Sequence, residues 1–240
     1  MSEATMSQLQ QQLAELQGEL ERLKAVDQIR KLQYTYGYCI DKCLYDEAIE
    51  LFADEGFELQ FLNGIFEGKA SARRLYVDFF QKAFTDGVPG PVEGFVLDHF
   101  MGQDVIDISE DGQTAYGRFR VLMQGGLHES RAERPDLKSV WEPGTQVWEA
   151  GVYENIFIRE NGVWKFKTLN YQMMWQADYA DGWARAKTHL HPFTDTYPKD
   201  RIGPDRLTDD KIRSWPGTRF LPFHYPHPTT GKPWRHYPNT

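Results

Sequence analysis

The sequence QIRKLQYTYGYCIDK, residues 28–42, lies at the centre of the stretch that decides the fold, residues 26–56. Its apolar residues recur at steps of three and four, at Ile29, Leu32, Tyr36 and Ile40. This spacing predicts an amphipathic helix with Asp41 at its end. Residues 46–53 predict a second, short helix before the strands begin. A helix that ends in a carboxylate among tyrosines, followed by curved strands, favours a pocket open on one side.

Length and composition exclude several classes of protein. The 240 residues are 40% hydrophobic and 14% aromatic, which suffices for one large domain with extensions. The formal net charge of −8 argues against a nucleic-acid partner. No apolar run reaches about 18 residues, so no membrane span is predicted, and the glutamine-rich beginning is unlike a signal peptide. A cytoplasmic location follows as the default.

The sequence contains two cysteines, Cys39 and Cys43. Because they are four residues apart on a predicted helix, they point the same way. A zinc site would need more ligands nearby, and a structural disulfide within one helix has poor geometry. We therefore expect two reduced, packed thiols and no metal.

Residues 1–25 predict a helical arm ahead of the domain. Leucines step by four and three, which forms a heptad seam, at Leu9, Leu13, Leu16, Leu20 and Leu23. Two heptads are too few for an independent coiled coil. Two arrangements remain open. The arm packs on a neighbouring subunit, giving a homodimer or a higher homo-oligomer, or it folds over its own sheet.

Residues 26–176 have the pattern of an α+β domain. Residues 57–61 alternate as a strand, Asn63-Gly64 is a hairpin turn signal, and residues 71–85 predict a helix. Four long strands follow, at residues 95–109, 114–125, 146–160 and 163–175. We expect a strongly curved antiparallel sheet wrapped around the helices.

Residues 177–240 differ in composition from the domain before them. Nine of the thirteen prolines lie here. The aromatic residues Trp215, Phe220 and Phe223 are unlike a disordered tail. We expect an ordered, mostly irregular extension that wraps over the domain or over a partner subunit.

No nucleotide-binding, zinc-protease or serine-hydrolase motif occurs, which leaves chemistry without a cofactor, or binding alone. Cofactor-free acid–base catalysis needs a carboxylate and a histidine in a dry space. His99 lies between Leu97 and Met101 on one face of a predicted strand, where a histidine is more often a structural core residue. The position of Asp41 alone does not decide its role either, since a carboxylate there could cap the helix or be solvated.

Polar side chains on two other strands are candidate substrate contacts. Tyr153 and Asn155 share one face of the third long strand with Glu149. Arg118 lies on the second long strand, and Lys42 follows the helix that ends at residue 41.

Residues 28–56 and the run ENIFIRENGVWKF, residues 154–166, resemble the opening and the last hairpin of SnoaL-like proteins in the nuclear transport factor 2 superfamily. That resemblance implies a cone-shaped fold. The polar pattern is similar to that of scytalone dehydratase. That enzyme has an aspartate at the end of its first helix, a histidine in a His-Phe-x-Gly sequence and an asparagine before the last hairpin. Asp41, His99 and Asn155 match these positions.

The resemblance implies that Asp41 and His99 are a catalytic pair and that Asn155 binds the substrate. The tyrosine that directly precedes the aspartate in scytalone dehydratase is Ile40 here, so Tyr36 or Tyr38 would take its place. The general shape also resembles bacterial lyases that release formaldehyde from lignin-derived diaryl propanediols.

The leading hypothesis is a lyase that needs no cofactor or metal and eliminates water, formaldehyde or both from a bulky phenolic substrate, such as a lignin-derived diaryl propanediol that becomes a stilbene. The predicted catalytic residues are Asp41, His99, Tyr36 and Tyr38. The predicted substrate-binding residues are Lys42, Asn155, Tyr153 and Arg118. Two alternatives remain: a dehydratase, cyclase or isomerase of an aromatic or polyketide substrate, and a ligand-binding or assembly module without turnover.

Overall fold

A 39-residue helix, α1 (Glu3–Asp41), runs through the predicted arm and the predicted first domain helix without a break. The computed structural model describes residues 3–186, 191–208, 215–218 and 220–235. In the second half of α1, Ile29, Tyr36 and Ile40 are buried, as the spacing predicts. This half packs against strand β3 (Phe95–Ile108).

The first half of α1 carries the leucine seam, and the described part of the chain leaves it uncovered. The leucines of the seam are between 47% and 69% exposed. They are Leu9, Leu13, Leu16, Leu20 and Leu23. Met6 is also exposed and extends the same heptad spacing. The arrangement in which the arm folds over its own sheet is therefore wrong.

We predict that a second copy of this chain covers the seam with its own seam. In the heptad, Glu19 and Lys24 flank the leucines at positions that pair across a parallel coiled coil. Replacing Leu13 and Leu20 by glutamate should lower the molar mass measured by light scattering, because each buried leucine contributes about 1.5–3 kcal/mol. The matched control puts the same charges on the outer side, as Gln8→Glu with Gln11→Glu, and should keep the mass. If all three proteins had equal mass, the seam would not hold subunits together.

The second helix, α2 (Tyr45–Ile49), is shorter than the predicted helix over residues 46–53. After it the backbone turns to pair with strand β6 (Val163–Asp178). The amide of Phe166 donates to the carbonyl of Leu51 at 3.0 Å, and the amide of Ala53 donates to the carbonyl of Phe166 at 2.9 Å. These bonds take the groups that further helical turns would need, so the helix ends early.

Strands β1 (Glu58–Phe61) and β2 (Gly64–Glu67) form the predicted hairpin. Its loop is Leu62-Asn63, one residue earlier than the predicted turn. Both loop residues have positive φ, 46° and 62°, as a two-residue type I′ loop requires.

The helix predicted over residues 71–85 consists of three consecutive segments. It begins as α3 (Gly68–Arg73), continues as a π-helical segment (Arg74–Gln81) and ends as α4 (Lys82–Thr85). The π-helical segment buries Leu75 and Tyr76. Such segments are rare and frequently lie at functional sites.

Three further strands are β4 (Thr114–Leu127), β5 (Gln146–Glu160) and β7 (Arg206–Leu207). In the described part of the chain, seven strands form one sheet in the order β3-β4-β5-β6-β1-β2-β7. Strands β3, β4, β5 and β6 pair antiparallel, as predicted. β1 pairs with β6 in parallel, so the expectation of a purely antiparallel sheet is wrong there. The chain enters β1 from α2 and not from β6, so no hairpin imposes an antiparallel pairing.

Strand β7 (Arg206–Leu207) belongs to the C-terminal extension and pairs with β2. Beside it, Phe193 packs edge-on against Phe66 with ring centroids 5.7 Å apart. Gly64 permits this approach, because a Cβ atom there would lie 2.9 Å from the side chains of Phe193 and Pro204. These residues of the extension therefore lie against this chain's own domain.

The core lies between α1, α2 and the inner face of the sheet, meaning the face that packs on α1. Phe52, Phe57 and Phe166 are buried there, and the ring of Phe52 contacts the rings of the other two. Within the described ranges, no helix has the length and apolar character needed to cross a membrane.

Candidate active site

The helices and the inner face of the sheet enclose a cavity of about 480 Å³. Much of its lining is aromatic and includes Tyr36, Tyr45, Phe61, Tyr76, Phe80 and Tyr171. A pocket with mostly apolar, aromatic walls and a few polar groups is typical of a small-molecule site. Its walls suit flat aromatic rings.

His99 lines the wall of this cavity, and Asp41 contacts it without itself lining the cavity. Oδ1 of Asp41 lies 2.6 Å from Nδ1 of His99 and accepts a hydrogen bond from the backbone amide of His99 at 3.0 Å. The two side chains are 3% and 12% exposed, respectively, so the contact is shielded from solvent. Because Asp41 engages Nδ1, the ring nitrogen left for a substrate is Nε2.

Local structure explains why Asp41 points at the strand. α1 ends at Asp41 because the chain then turns at Cys43, which has a positive φ of 53°. A carboxylate at the C-terminal end of a helix is disfavoured by the helix dipole. The amide and the imidazole of His99 compensate that cost. On β3 the alternation of side chains puts His99 on the inner face between Leu97 and Met101, as predicted.

Tyrosines form a hydrogen-bonded cluster beside the pair. The hydroxyls of Tyr36 and Tyr76 lie 2.8 Å apart, and Tyr153 lines the same cavity. Burial raises the pKa of all three phenols. They therefore stay protonated near neutral pH and can donate hydrogen bonds to substrate oxygens.

A second carboxyl group, that of Glu149, also lines the cavity. Its Oε1 accepts from the hydroxyl of Tyr171 at 2.6 Å, and its Oε2 accepts from Nε2 of Gln176 at 2.8 Å. Burial raises the pKa of Glu149, while the bond from Tyr171 and the charge of His99 act in the opposite direction. Alternation along β5 puts Glu149 on the same face as Tyr153, but no pattern in the sequence indicates a role for it.

The raised pKa of Glu149 predicts how Glu149→Gln changes stability with pH. The folded state holds this proton more tightly than the unfolded chain, so the ionisation of Glu149 lowers stability as pH rises from about 4.5 through the folded pKa. The unfolding free energy of the wild type should therefore fall relative to that of Glu149→Gln across this window. Titratable groups around the carboxyl group are His99, Tyr153 and Tyr171.

The measurement is chemical denaturation at a series of pH values, for wild type and Glu149→Gln. Repeating both in a His99→Ala background separates the titration of the imidazole from that of the carboxyl group. A difference between the two proteins that stays constant with pH would contradict a raised pKa of Glu149.

Two of the predicted site residues, Tyr38 and Lys42, are exposed and lie outside the cavity. Tyr38 is 72% exposed. It follows Tyr36 by two residues, which is about 200° around a helix, so it points away from the sheet. Lys42 is exposed beyond the end of α1. The predictions that Tyr38 acts as the acid and that Lys42 binds substrate in this cavity are therefore wrong.

Asn155 is buried, but its polar atoms are used inside the protein. Nδ2 donates to Oε1 of Gln33 at 2.7 Å, and Oδ1 accepts from the amide of Asn170 at 2.9 Å. It does not line the cavity within the described residues. Its predicted role as a substrate ligand there is wrong, because α1 supplies Gln33 at that level of the sheet.

Arg118 lies on the outer face of the sheet, since its neighbour Phe119 takes the inner face. The guanidinium pairs with Glu154 and donates to the carbonyl of Leu221 at 3.0 Å. It also lies 4.2 Å above the ring of Phe223. Arg118 therefore does not contact a substrate in this cavity, and the prediction is wrong for this site. Arg118 fastens the C-terminal extension to the sheet.

Cys39 and Cys43 are free and buried, as predicted. Cys43 lies beyond the end of the helix, so the two residues are not on one helical face. Burial raises the pKa of both thiols, which argues against a reactive thiolate. Among the described residues, no group of three or more His, Cys, Asp or Glu side chains could hold a metal ion.

Residues 21–170 match the SnoaL-like domain family. A solved structure with a similar fold comes from Novosphingobium aromaticivorans and is assigned provisionally as a scytalone dehydratase. It is 16% identical, with a TM-score of 0.53 over 73% of this chain and 97% of its own. Another is a type 3 hexachlorocyclohexane dehydrochlorinase from Novosphingobium barchaimii. It is 18% identical, with a TM-score of 0.51 over 74% of this chain and 99% of its own. These similarities concern the fold. No curated protein matches the chain by sequence.

Proposed function

The chain belongs to the SnoaL-like domain family, and on that premise we propose that it is a lyase that needs no cofactor. It eliminates water and formaldehyde from a bulky phenolic diol, a diaryl propanediol of the kind derived from lignin, and forms a stilbene. The observation that carries the proposal is the shielded contact between Asp41 and His99 on the wall of an aromatic cavity.

The size and lining of the cavity support a two-ring substrate. A volume of about 480 Å³ lies within the usual range for small-molecule pockets, about 300–1,000 Å³. Aromatic side chains on opposite walls can pack against flat rings, and the polar groups are few enough to fix an orientation.

The pair is arranged to move a proton. Asp41 holds the tautomer and the orientation of the His99 ring through Nδ1. Its negative charge also stabilises the imidazolium that forms when Nε2 takes a proton. A positioned acid–base group of this kind contributes about 10²–10⁴-fold to the rate.

The substrate's own phenol supplies the electrons for the first step. The para-phenol loses its proton, the benzylic carbon–oxygen bond breaks, and the hydroxyl leaves as water after gaining a proton. The product of this step is a neutral quinone methide. His99 is suited to take the phenol proton, and the protonated hydroxyls of Tyr36 and Tyr153 can hold substrate oxygens.

The second step restores the aromatic ring. The hydroxymethyl group loses its O–H proton and leaves as formaldehyde, and the electrons of the broken carbon–carbon bond form the stilbene double bond. The phenolic oxygen regains a proton. One diol gives one stilbene, one water and one formaldehyde, without net oxidation. The two structurally similar proteins named above carry names of elimination enzymes, which is compatible with this class of reaction.

The test uses purified protein treated with a chelator and a diaryl propanediol that has a free para-hydroxyl group. We expect formaldehyde release together with near-ultraviolet absorbance of a stilbene. Loss of water without formaldehyde would replace the lyase by a dehydratase. Binding without any product would replace it by a ligand-binding module.

A further inference from the structure

Glu149 lies in the same cavity as the Asp41–His99 pair but makes separate contacts. Both of its oxygens are held by neutral donors, the hydroxyl of Tyr171 and the amide of Gln176. It is 5% exposed, and no Lys or Arg of the described chain pairs with it. A buried carboxyl group without a cationic partner is costly when ionised. The surroundings of Glu149 therefore favour its protonated form, which can give a proton to a molecule in the cavity.

Gln176 gives an independent indication that this wall meets a ligand. Its Nε2 is used by Glu149, but its Oε1 is buried without a hydrogen-bond partner among the described residues. Gln176 lines the cavity. Because buried acceptors are normally satisfied, this oxygen can accept a hydrogen bond from a hydroxyl of a bound molecule once the side chain turns toward the cavity.

The sheet sets the distance between the two proton-handling groups. His99 on β3 pairs with Met123 on β4, and Met123 pairs with Glu149 on β5. His99 and Glu149 are thus two strands apart on the inner face, about 10 Å between Cα atoms. Met123 lies between them and lines the cavity floor. An aromatic ring lying over Met123 would present its two ends to His99 and Glu149.

We propose that Glu149, Tyr171 and Gln176 form the site that binds the two alcohol groups of the substrate and exchanges protons with them, while His99 serves its phenol. This assignment rests on the proposed function and refines it. The cavity is then selective for a phenol whose side chain, para to the hydroxyl, carries two alcohols close enough to meet one carboxyl group.

With these roles for Glu149 and His99, every proton that one step removes is returned by the end of the reaction. Protonated Glu149 gives its proton to the benzylic hydroxyl, which leaves as water, while Nε2 of His99 takes the phenol proton. The Glu149 carboxylate then takes the proton of the hydroxymethyl group as formaldehyde leaves, and His99 returns its proton to the phenolic oxygen. Both residues end in the state in which they began, and no proton is exchanged with solvent.

The first test is Glu149→Gln, which keeps the shape of the side chain but cannot transfer a proton. We expect kcat for the diol to fall by about 10²–10⁴-fold, with a much smaller change in the affinity for the stilbene product. The matched control, Glu110→Gln, alters an exposed carboxylate in the turn after β3 and should keep wild-type activity. Wild-type turnover by Glu149→Gln would overturn the role of Glu149 and leave the proposed lyase standing.

The second test measures binding and does not depend on turnover. Its probes are the para-methyl ether of the diol and the same ether without the two alcohols. We expect wild type to bind the diol ether about tenfold more tightly, since its two alcohols gain hydrogen bonds at this wall. Glu149→Leu with Tyr171→Phe, and separately Gln176→Leu, should reduce this preference severalfold. His99→Ala should retain it.

The two tests fail in distinguishable ways. If no diol is turned over by wild type, the proposed lyase fails, and the binding preference still decides whether this wall recognises two alcohols. If the preference is the same in wild type and in both sets of cavity variants, the assignment is overturned. Circular dichroism of each variant establishes that it is folded, and Gln176→Leu leaves the Glu149–Tyr171 bond in place.

Discussion

Asp41→Asn is expected to reduce turnover by about 10²–10⁴-fold while the protein remains folded. Asparagine has nearly the same shape and can still accept hydrogen bonds at Oδ1 from the amide and the ring of His99. It carries no negative charge, so it cannot stabilise the imidazolium, and its amide group can also favour the wrong tautomer. His99→Ala should cost about as much. The measurement is kcat on the diol, with circular dichroism as the test of folding.

The double variant separates a catalytic unit from two independent residues. If Asp41 acts through His99, Asp41→Asn combined with His99→Ala should be little slower than either single variant. Asp98→Asn is the matched control, because Asp98 is exposed next to His99 on the other face of β3. Near-wild activity of both single variants would make the pair structural.

The pairing of Asp41 with His99 was partly predictable because local periodicity fixes both positions. The helical spacing puts Asp41 at the end of α1, and strand alternation puts His99 on the inner face of β3. The residues are 58 positions apart, so periodicity alone cannot make them meet. Their contact depends on the packing of α1 on β3, which the family resemblance supplied.

The wrong site predictions have identifiable causes. Tyr38 and Arg118 lie next to or near inner-face residues, but the same periodicities that place Tyr36 and Phe119 inward place them outward. That signal was present in the sequence. Asn155 differs, because it is on the predicted face and is buried. Only the packing of Gln33 from α1 removes it from the cavity, and no pattern along the chain reveals that contact.

Glu149 could not be recognised from alternation alone because a β-bulge changes the register of its partners. On β6, Gln176 pairs with Glu149 and Tyr171 pairs with Tyr153, with a register shift between them at Ala150 and Gly151. Without the shift, Tyr171 and Gln176 would lie on opposite faces, since they are five residues apart. The extra residue on β6 brings both onto the inner face. The carboxyl group thereby gains two neutral donors that the sequence does not place together.

The largest expected effect comes from a change in the substrate. Methylating the para-hydroxyl of the diaryl propanediol should abolish formaldehyde release, while the parent phenol reacts. The ether oxygen has no proton to lose, so it cannot form the neutral quinone methide through which both leaving groups depart. The added methyl group is remote from the bonds that break, so it does not block them. A loss of reaction therefore tests whether the quinone methide is the intermediate. Formaldehyde release and stilbene absorbance are measured for both compounds under the same conditions.

Absence of formaldehyde release from the methyl ether is informative only if the ether occupies the cavity. Competition provides this control, because the ether should inhibit turnover of the phenol at concentrations near its own dissociation constant. An ether that binds but does not react supports electron supply from the phenol. The same result is expected in the presence of a chelator. Equal rates for ether and phenol would exclude the quinone methide. Cleavage would then begin with direct loss of the hydroxymethyl proton, and neutral His99, with no phenol proton to take, would have to act as the base while protonated Glu149 protonates the leaving hydroxyl.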